Sequence, residues 1–275
     1  MTVINSNTSA LRAQNGTRIA NQMLQTAMAR LSSGNRINTA SDDAAGLAIS
    51  NSMTSQINGM NQAISNANDG VSMAQTADGA LSEVTNMLQR IRELAVQSAS
   101  GTYSSDDRSN MQAEVGLLTQ QITSTLGSSN FNGVNLFDGT AGGGTGVVSI
   151  QVGADSGAGN TIDMDFGQIP DTTVATSVAT VTDANAAMTT VDAQLKVIDN
   201  ARAKLGAAES RMNSVVNSLT NNVTNMTDAR SRIADTDFSA ETTNLAKAQI
   251  LNQAATAMLA QANQSAQGVM KLLGN

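Results

Sequence analysis

Residues 57–95 read INGMNQAISNANDGVSMAQTADGALSEVTNMLQRIRELA, and their apolar positions step by three and four through Ile57, Met60, Ile64, Ala67, Val71, Ala74, Ala77, Leu81, Val84, Leu88, Ile91 and Ala95. That spacing is a coiled-coil seam. Val71, Ala74 and Ala77 are two steps of three in a row, which predicts a local overwinding. At about 1.5 Å per residue, a helix from about Asp42 to Ser98 would be roughly 85 Å long, too long for a compact domain. The spacing therefore predicts a rod.

The stretch GTYSSDDRSN at 101–110 supplies the next turn. Ser104 or Ser105 suits the N-cap, and Asp106 and Asp107 suit the positive end of a following helix. Met111, Val115, Leu118, Ile122 and Thr125 carry that helix forward. A further long helix opens near Asp183 and follows Val191, Leu195, Ile198, Leu205, Ala208, Met212, Val215, Leu219, Val223 and Met226. Three such helices close one bundle. Between them, VVSIQV at 147–152 and TIDMDF at 161–166 alternate apolar with polar and read as strands. Phe131, Phe137 and Phe166 lie in or beside this part and mark a local core. Residues 167–182 hold the one proline and many Thr and Val residues, and fit no clear element. The fold class expected is mainly α: long coiled-coil helices, paired terminal helices and a small central β-region.

The two ends match each other. Phe238, Leu245, Asn252, Leu259, Ala266 and Leu273 recur every seven residues, with Ala248, Ala255, Ala262 and Val269 three later. Val3, Ala10, Thr17, Leu24 and Leu31 recur likewise, with Ser6, Ala13, Ala20 and Ala27 three later. Alanine seams bury little apolar area, so the tails are expected to order fully only when neighbouring molecules cover them.

Composition narrows the chemistry. Among 275 residues there is no cysteine, histidine or tryptophan, which removes disulfides, thiolate nucleophiles, imidazole bases and most transition-metal sites. An enzyme is not expected, and no cofactor. The formal charge is −7, and no Lys or Arg lies between Arg108 and Lys196. Nucleic acid is thus an unfavoured partner. No apolar run is long enough to insert in a membrane. The start, MTVINSNTSALRAQ, has neither a basic n-region nor an apolar h-region, so export is expected to be leaderless.

Ser41, Asp42 and Asp43 fall where GNRIN ends and the apolar spacing resumes at Leu47. Ser41 is placed to cap, with both carboxylates in the first helical turn, and this reading outweighs a metal or acid–base role. Asp155, Asp163 and Asp165 lack the spacing of a calcium loop. AGGGTG at 141–146 lacks the lysine of a phosphate loop and reads as a flexible loop. Arg90, Arg92, Glu93 and Glu114 lie on neighbouring helices and could be no more than a surface ion-pair network.

Four stretches together resemble the bacterial flagellins: RLSSGNRINTASDDAAGLAIS at 30–50, LQRIRELAVQSA at 88–99, NFNGVNLFDG at 130–139, and SRIADTDFSAETTNLAKAQILNQAATAMLAQANQ at 231–264. The resemblance covers about residues 1–140 and 183–275. It implies a filament subunit for swimming motility, secreted and located in the extracellular bacterial flagellum, with the large outer domains of longer flagellins missing. Residues 1–40 and 240–275 would form the filament core, 41–140 and 183–239 the three-helix rod, and 141–182 a short central β or variable region belonging to the rod.

The resemblance also implies partners. They are copies of itself in a helical homopolymer, an export chaperone on the C-terminal tail, the filament cap and junction proteins, and the flagellin-sensing Toll-like receptor. Export would be unfolded, through the flagellar type III channel. Gln89, Arg90, Leu94 and Glu114 would form the subunit and receptor surface. Leu24, Leu31, Leu245, Leu259, Val269, Leu272 and Leu273 would form the filament-core interface. Two rivals share some of these features: a hook–filament junction protein and a chemoreceptor-like signalling coiled coil.

Overall fold

The computed structural model describes residues 6–167 and 177–273. Along the chain run α1 (Thr8–Ser33), α2 (Ala44–Ala99), α3 (Ser105–Ser128), β1 (Asn130–Phe131), β2 (Val134–Asn135), the short turn α4 (Ala141–Gly144), β3 (Val147–Gln151), β4 (Thr161–Asp165), α5 (Val181–Ala234) and α6 (Phe238–Leu273). The class is mainly α, with two small antiparallel sheets. The chain divides into a terminal unit, residues 1–55 with 225–275, and a central unit, residues 56–224. Both boundaries fall inside long helices.

In the terminal unit, α1 and α6 lie side by side and antiparallel. Asn7 caps α1 by accepting the Ala10 amide at 3.0 Å, and Gly34 ends it in the left-handed region at φ 73°, its N–H returning to the Arg30 carbonyl. That conformation suits a residue without Cβ. Asp237 opens α6 by accepting the amides of Ser239 and Ala240. The inward rows follow the heptads read from the sequence, yet among the described residues only Ala20, Ala27 and Ala248 are fully buried along them, and Phe238 is 68% exposed. The aromatic that opens the α6 heptad is therefore outside the seam.

In the central unit, α2, α3 and α5 share one apolar core that includes Leu81, Leu88, Ile91, Val115, Ile122, Val191, Ile198, Leu205 and Met212. The capping box Ser104–Asp107 starts α3, with each side chain accepting the other's backbone amide. The buried row of α2 runs through Ala63, Ala67, Gly70, Ala74 and Ala77, while Ile64 and Val71 are only half-buried. The overwinding expected at Val71 therefore gives way to alternating steps. A cause is visible in the β3–β4 hairpin, which lies directly on this part of α2. A Cβ on Gly59 would meet the Ala154 Cβ at 2.9 Å, and one on Gly70 would meet the Met212 Sδ at 2.7 Å and Ile150 at 3.3 Å. The Asn66 amide donates to the Gln151 carbonyl at 3.1 Å. Only small residues fit under so close a hairpin.

The hairpin register pairs Val147 with Asp165 and Gln151 with Thr161, so Ile162 and Met164 face the core together with the following Phe166. The smaller hairpin β1–β2 turns through Asn132 and Gly133, both at positive φ, as a two-residue turn requires. AGGGTG, read as a flexible loop, forms the turn α4 and carries positive φ at four of its glycines. Most of the stretch that fitted no element, residues 168–176, lies outside the described residues. Its end is held firmly: Val178 is buried, its carbonyl accepts from the Ser98 hydroxyl, and its amide donates to the Gln112 side chain.

Candidate functional site

The connector between α1 and α2 shows how the acidic pair at its end is used. The Asp43 carboxylate accepts the Gly46 amide at 2.9 Å while its own carbonyl accepts from Leu47, so Asp43 is the N-cap of α2. Ser41, expected to cap, instead exchanges a hydroxyl bond with Thr39 at 2.8 Å. Ser41 stands two residues too early to reach the free amides of the first turn. Asp42 points backward and accepts from the Thr39 amide at 2.9 Å, the Asn38 amide at 3.1 Å and the Thr39 hydroxyl. Those donors, the Thr39 amide foremost, hold its carboxyl below the ordinary aspartate range. Both carboxylates are engaged with backbone, and among the described residues no group of three His, Cys, Asp or Glu could hold a metal ion.

The second site lies on α2 and α3. Arg90 donates through Nε to Glu114 at 2.9 Å and through Nη1 to Glu93 at 3.0 Å. All three side chains are about half or more exposed. These bonds, Glu114's first, raise the Arg90 pKa further above its ordinary value. Gln89 is exposed beside it and lines a 520 Å³ cleft with Arg92, Glu93, Val96 and Gln97. Arg92 turns the other way, to Asp192 on α5 at 2.7 Å, a partner the local sequence did not suggest. Leu94 departs from the expectation of an interface side chain. It is 2% exposed and belongs to the central core, because it sits one turn beyond Ile91 on the inward face of α2.

The third site is the α1–α6 pair itself. Leu24, Leu31, Leu245 and Leu259 are half-buried along its seam. The expectations at Val269, Leu272 and Leu273 concern side chains outside the described residues. Beyond the seam, Leu11, Ile19 and Met28 on α1, and Ile250, Leu251 and Met258 on α6, are exposed apolar side chains that the sequence reading did not single out. Their positions between the heptad residues were the available signal. Across the pair, the Asn7 amide donates to the Ala262 carbonyl, the Asn252 amide to the Asn21 side chain, and Arg30 faces Glu241 at 3.8 Å. Glu241 is 7% exposed and the Arg30 Nε is buried without a partner. No helix among the described residues is long and apolar enough to cross a membrane.

Comparison with known proteins points to one family. The family model described as the bacterial flagellin N-terminal helical region matches residues 4–142, and that of the C-terminal helical region matches residues 188–273. The flagellin of Halalkalibacterium halodurans is 42% identical over 98% of this chain and 99% of its own length. A flagellar filament 33 kDa core protein of Treponema phagedenis is 40% identical with the same coverage. The crystal structure of Bacillus cereus flagellin aligns over 60% of this chain and 94% of its own, with a TM-score of 0.51 and 30% identity. Likeness of this extent does not favour the junction-protein or chemoreceptor reading. The chain belongs to the bacterial flagellin family, the structural subunits of the extracellular flagellar filament.

Proposed function

We propose that this chain polymerises through α1 and α6, with neighbouring copies covering the apolar side chains that the single molecule leaves in water. The observation that carries this reading is the terminal unit: a helix pair with an alanine seam inside and Leu11, Ile19, Met28, Ile250, Leu251 and Met258 outside. An isolated pair gains little from alanines, and leaving large side chains exposed forfeits about 1.5–3 kcal/mol for each one that burial would bring. Stacking copies recovers both terms. Leu24, Leu31, Leu245 and Leu259, together with Val269, Leu272 and Leu273, form the filament-core interface in this reading.

The exposed Gln89, Arg90 and Glu114 form the surface that meets a neighbouring subunit and, in a host, the flagellin-sensing Toll-like receptor. A charged pair held ready in the free monomer costs little ordering on binding. Before assembly the C-terminal tail is kept by an export chaperone and the chain passes unfolded through the flagellar type III channel, a route with which the absence of disulfides is compatible. The cap and junction proteins meet the polymer at its two ends. Seeded polymerisation tests the core of this proposal. Deleting 245–275, or placing a carboxylate in the seam by Leu259→Asp, should abolish elongation while leaving the melting of the central unit unchanged. Normal filaments from either variant would refute it.

A further inference from the structure

The alanine seam between α1 and α6 has a weakness that the connectors answer. The alanine rows Ala13, Ala20, Ala27 and Ala248, Ala255, Ala262 look alike after a slip of seven residues, so the alanines by themselves set no register between the two helices. Next to the helix ends, however, the chain forms a short antiparallel zipper. Arg36 N–H donates to the Ala234 carbonyl at 2.7 Å, Thr236 N–H donates to the Gly34 carbonyl at 2.9 Å, and Asn35 stands opposite Asp235. The Arg36 guanidinium adds two bonds to the Ile233 carbonyl, at 2.6 and 3.2 Å, closing the end of α5.

Contacts along the pair keep the register this zipper starts. Arg30 is five residues before Asn35 and its partner Glu241 six after Asp235. Gly16 is 19 before, and Ala255, whose Cβ lies 3.7 Å from a Cβ built on Gly16, is 20 after. Asn7 is 28 before and Ala262 is 27 after. The helices thus run in step from the zipper to the last described contact.

We propose that the zipper of Gly34–Arg36 with Ala234–Thr236, fastened by Arg36 on Ile233, is the register-setting device of the terminal helix pair, selecting one of several alanine alignments before or during assembly. This rests on the polymerisation proposed above. The Asn21–Asn252 pair is an internal rival for the same task, since a polar pair in a seam also fixes register.

Cysteine reporters decide, on a chain that has no cysteine of its own. Gly16→Cys with Ala255→Cys reads the native register, as its Cβ separation is that of an ordinary disulfide. Gly16→Cys with Ala248→Cys, or with Ala262→Cys, reads a slip of one heptad. Each pair is built into three backgrounds: the intact connector, Arg36→Pro with Thr236→Pro, which removes both main-chain donors and the guanidinium, and Asn21→Ala with Asn252→Ala. Seeded filaments are oxidised, and intramolecular bridges are separated from intermolecular ones by gel mobility. The proposal expects only the native bridge in the intact connector and in the asparagine variant, with slipped bridges rising to a yield comparable with the native one when the zipper is removed. Native bridges alone in the zipper variant, or slippage confined to the asparagine variant, would overturn it. Should the double zipper variant not elongate, Arg36→Pro alone carries the same comparison, because it removes the donor to Ala234 and both bonds to Ile233. Failure of the intact-connector chain to elongate would instead count against polymerisation itself.

Discussion

Asn7, at the start of α1, donates its side-chain amide to the carbonyl of Ala262 on α6 at 3.1 Å, joining residues 255 positions apart in sequence. The contact spends a side-chain donor on a main-chain acceptor that the helix already uses, and it sits at the far end of a seam of alanines. Polar contacts of this kind align two helices without supplying much burial. The pair is thus aligned with little apolar burial inside one molecule.

The cap at the start of α2 separates Asp43 from its neighbours. Asp43→Ala should cost about 1 kcal/mol through loss of the bond to Gly46, while Asp43→Asn should be nearly neutral because asparagine caps as well. Ser41→Ala should leave the cap intact. Asp42 behaves differently with pH. Its folded-state carboxyl titrates below the ordinary aspartate value, so its contribution is present above that ordinary value and fades as pH falls through the lowered one. Amide exchange at Asn38, Thr39 and Gly46 across an acid titration checks both statements. Chelators should change nothing, and a stoichiometric calcium site found here by calorimetry would contradict the capping assignment.

Arg90 and Leu94 should separate a surface effect from a folding effect. Arg90→Ala with Glu114→Ala removes an exposed pair, so the monomer should melt as before while receptor activation and polymer contacts weaken. Leu94→Ala opens a cavity in the core and should cost about 2–5 kcal/mol. A urea melt of each monomer, run beside a receptor-reporter assay, reads the difference. Full signalling from the Arg90 and Glu114 double variant would sink the proposed surface.

Two glycines under the β3–β4 hairpin should respond unequally to alanine. In an open helix the change gains about 0.5–1 kcal/mol. At Gly59 the new methyl meets the Ala154 Cβ at 2.9 Å and Cα at 3.2 Å, a methyl fixed to the main chain and the main chain itself, neither of which can swing aside. Gly59→Ala should therefore destabilise by about 1–2 kcal/mol. At Gly70 the nearest atom is the Met212 sulfur, the mobile part of a flexible side chain. Gly70→Ala should stay within about 1 kcal/mol of the parent. Equal losses at both positions would show that the hairpin does not rest on α2 as described.

The helices and strands were legible because their apolar periods are long or cleanly alternating, as from Leu81 to Ile91 and from Thr161 to Phe166. What escaped depends on tertiary neighbours. Which of Ser41 and Asp43 caps α2 turned on where the chain leaves the Thr39 turn. The preference for Ala63 and Gly70 over Ile64 and Val71 in the seam came from a hairpin some 85 residues away that presses on α2. The buried Arg108, whose guanidinium closes the end of α2 on the carbonyls of Ser98 and Ser100, carries no local signal of that role. The partner of Arg92 is 100 residues away, beyond any local pattern. Leu94 lies on the inward face by its distance from Ile91, and attention to that spacing would have placed it in the core.

Hydrogen exchange on monomer and filament, compared residue by residue, tests the central claim most directly. Alanine seams with large apolar neighbours left in water cannot hold long helices closed, so amides of residues 6–33 and 240–268 should exchange rapidly in the monomer and slowly in the filament. Amides in the α2 and α5 segments of the central unit should be protected in both. Equal protection of the terminal helices in the two states would contradict an account in which assembly completes their burial.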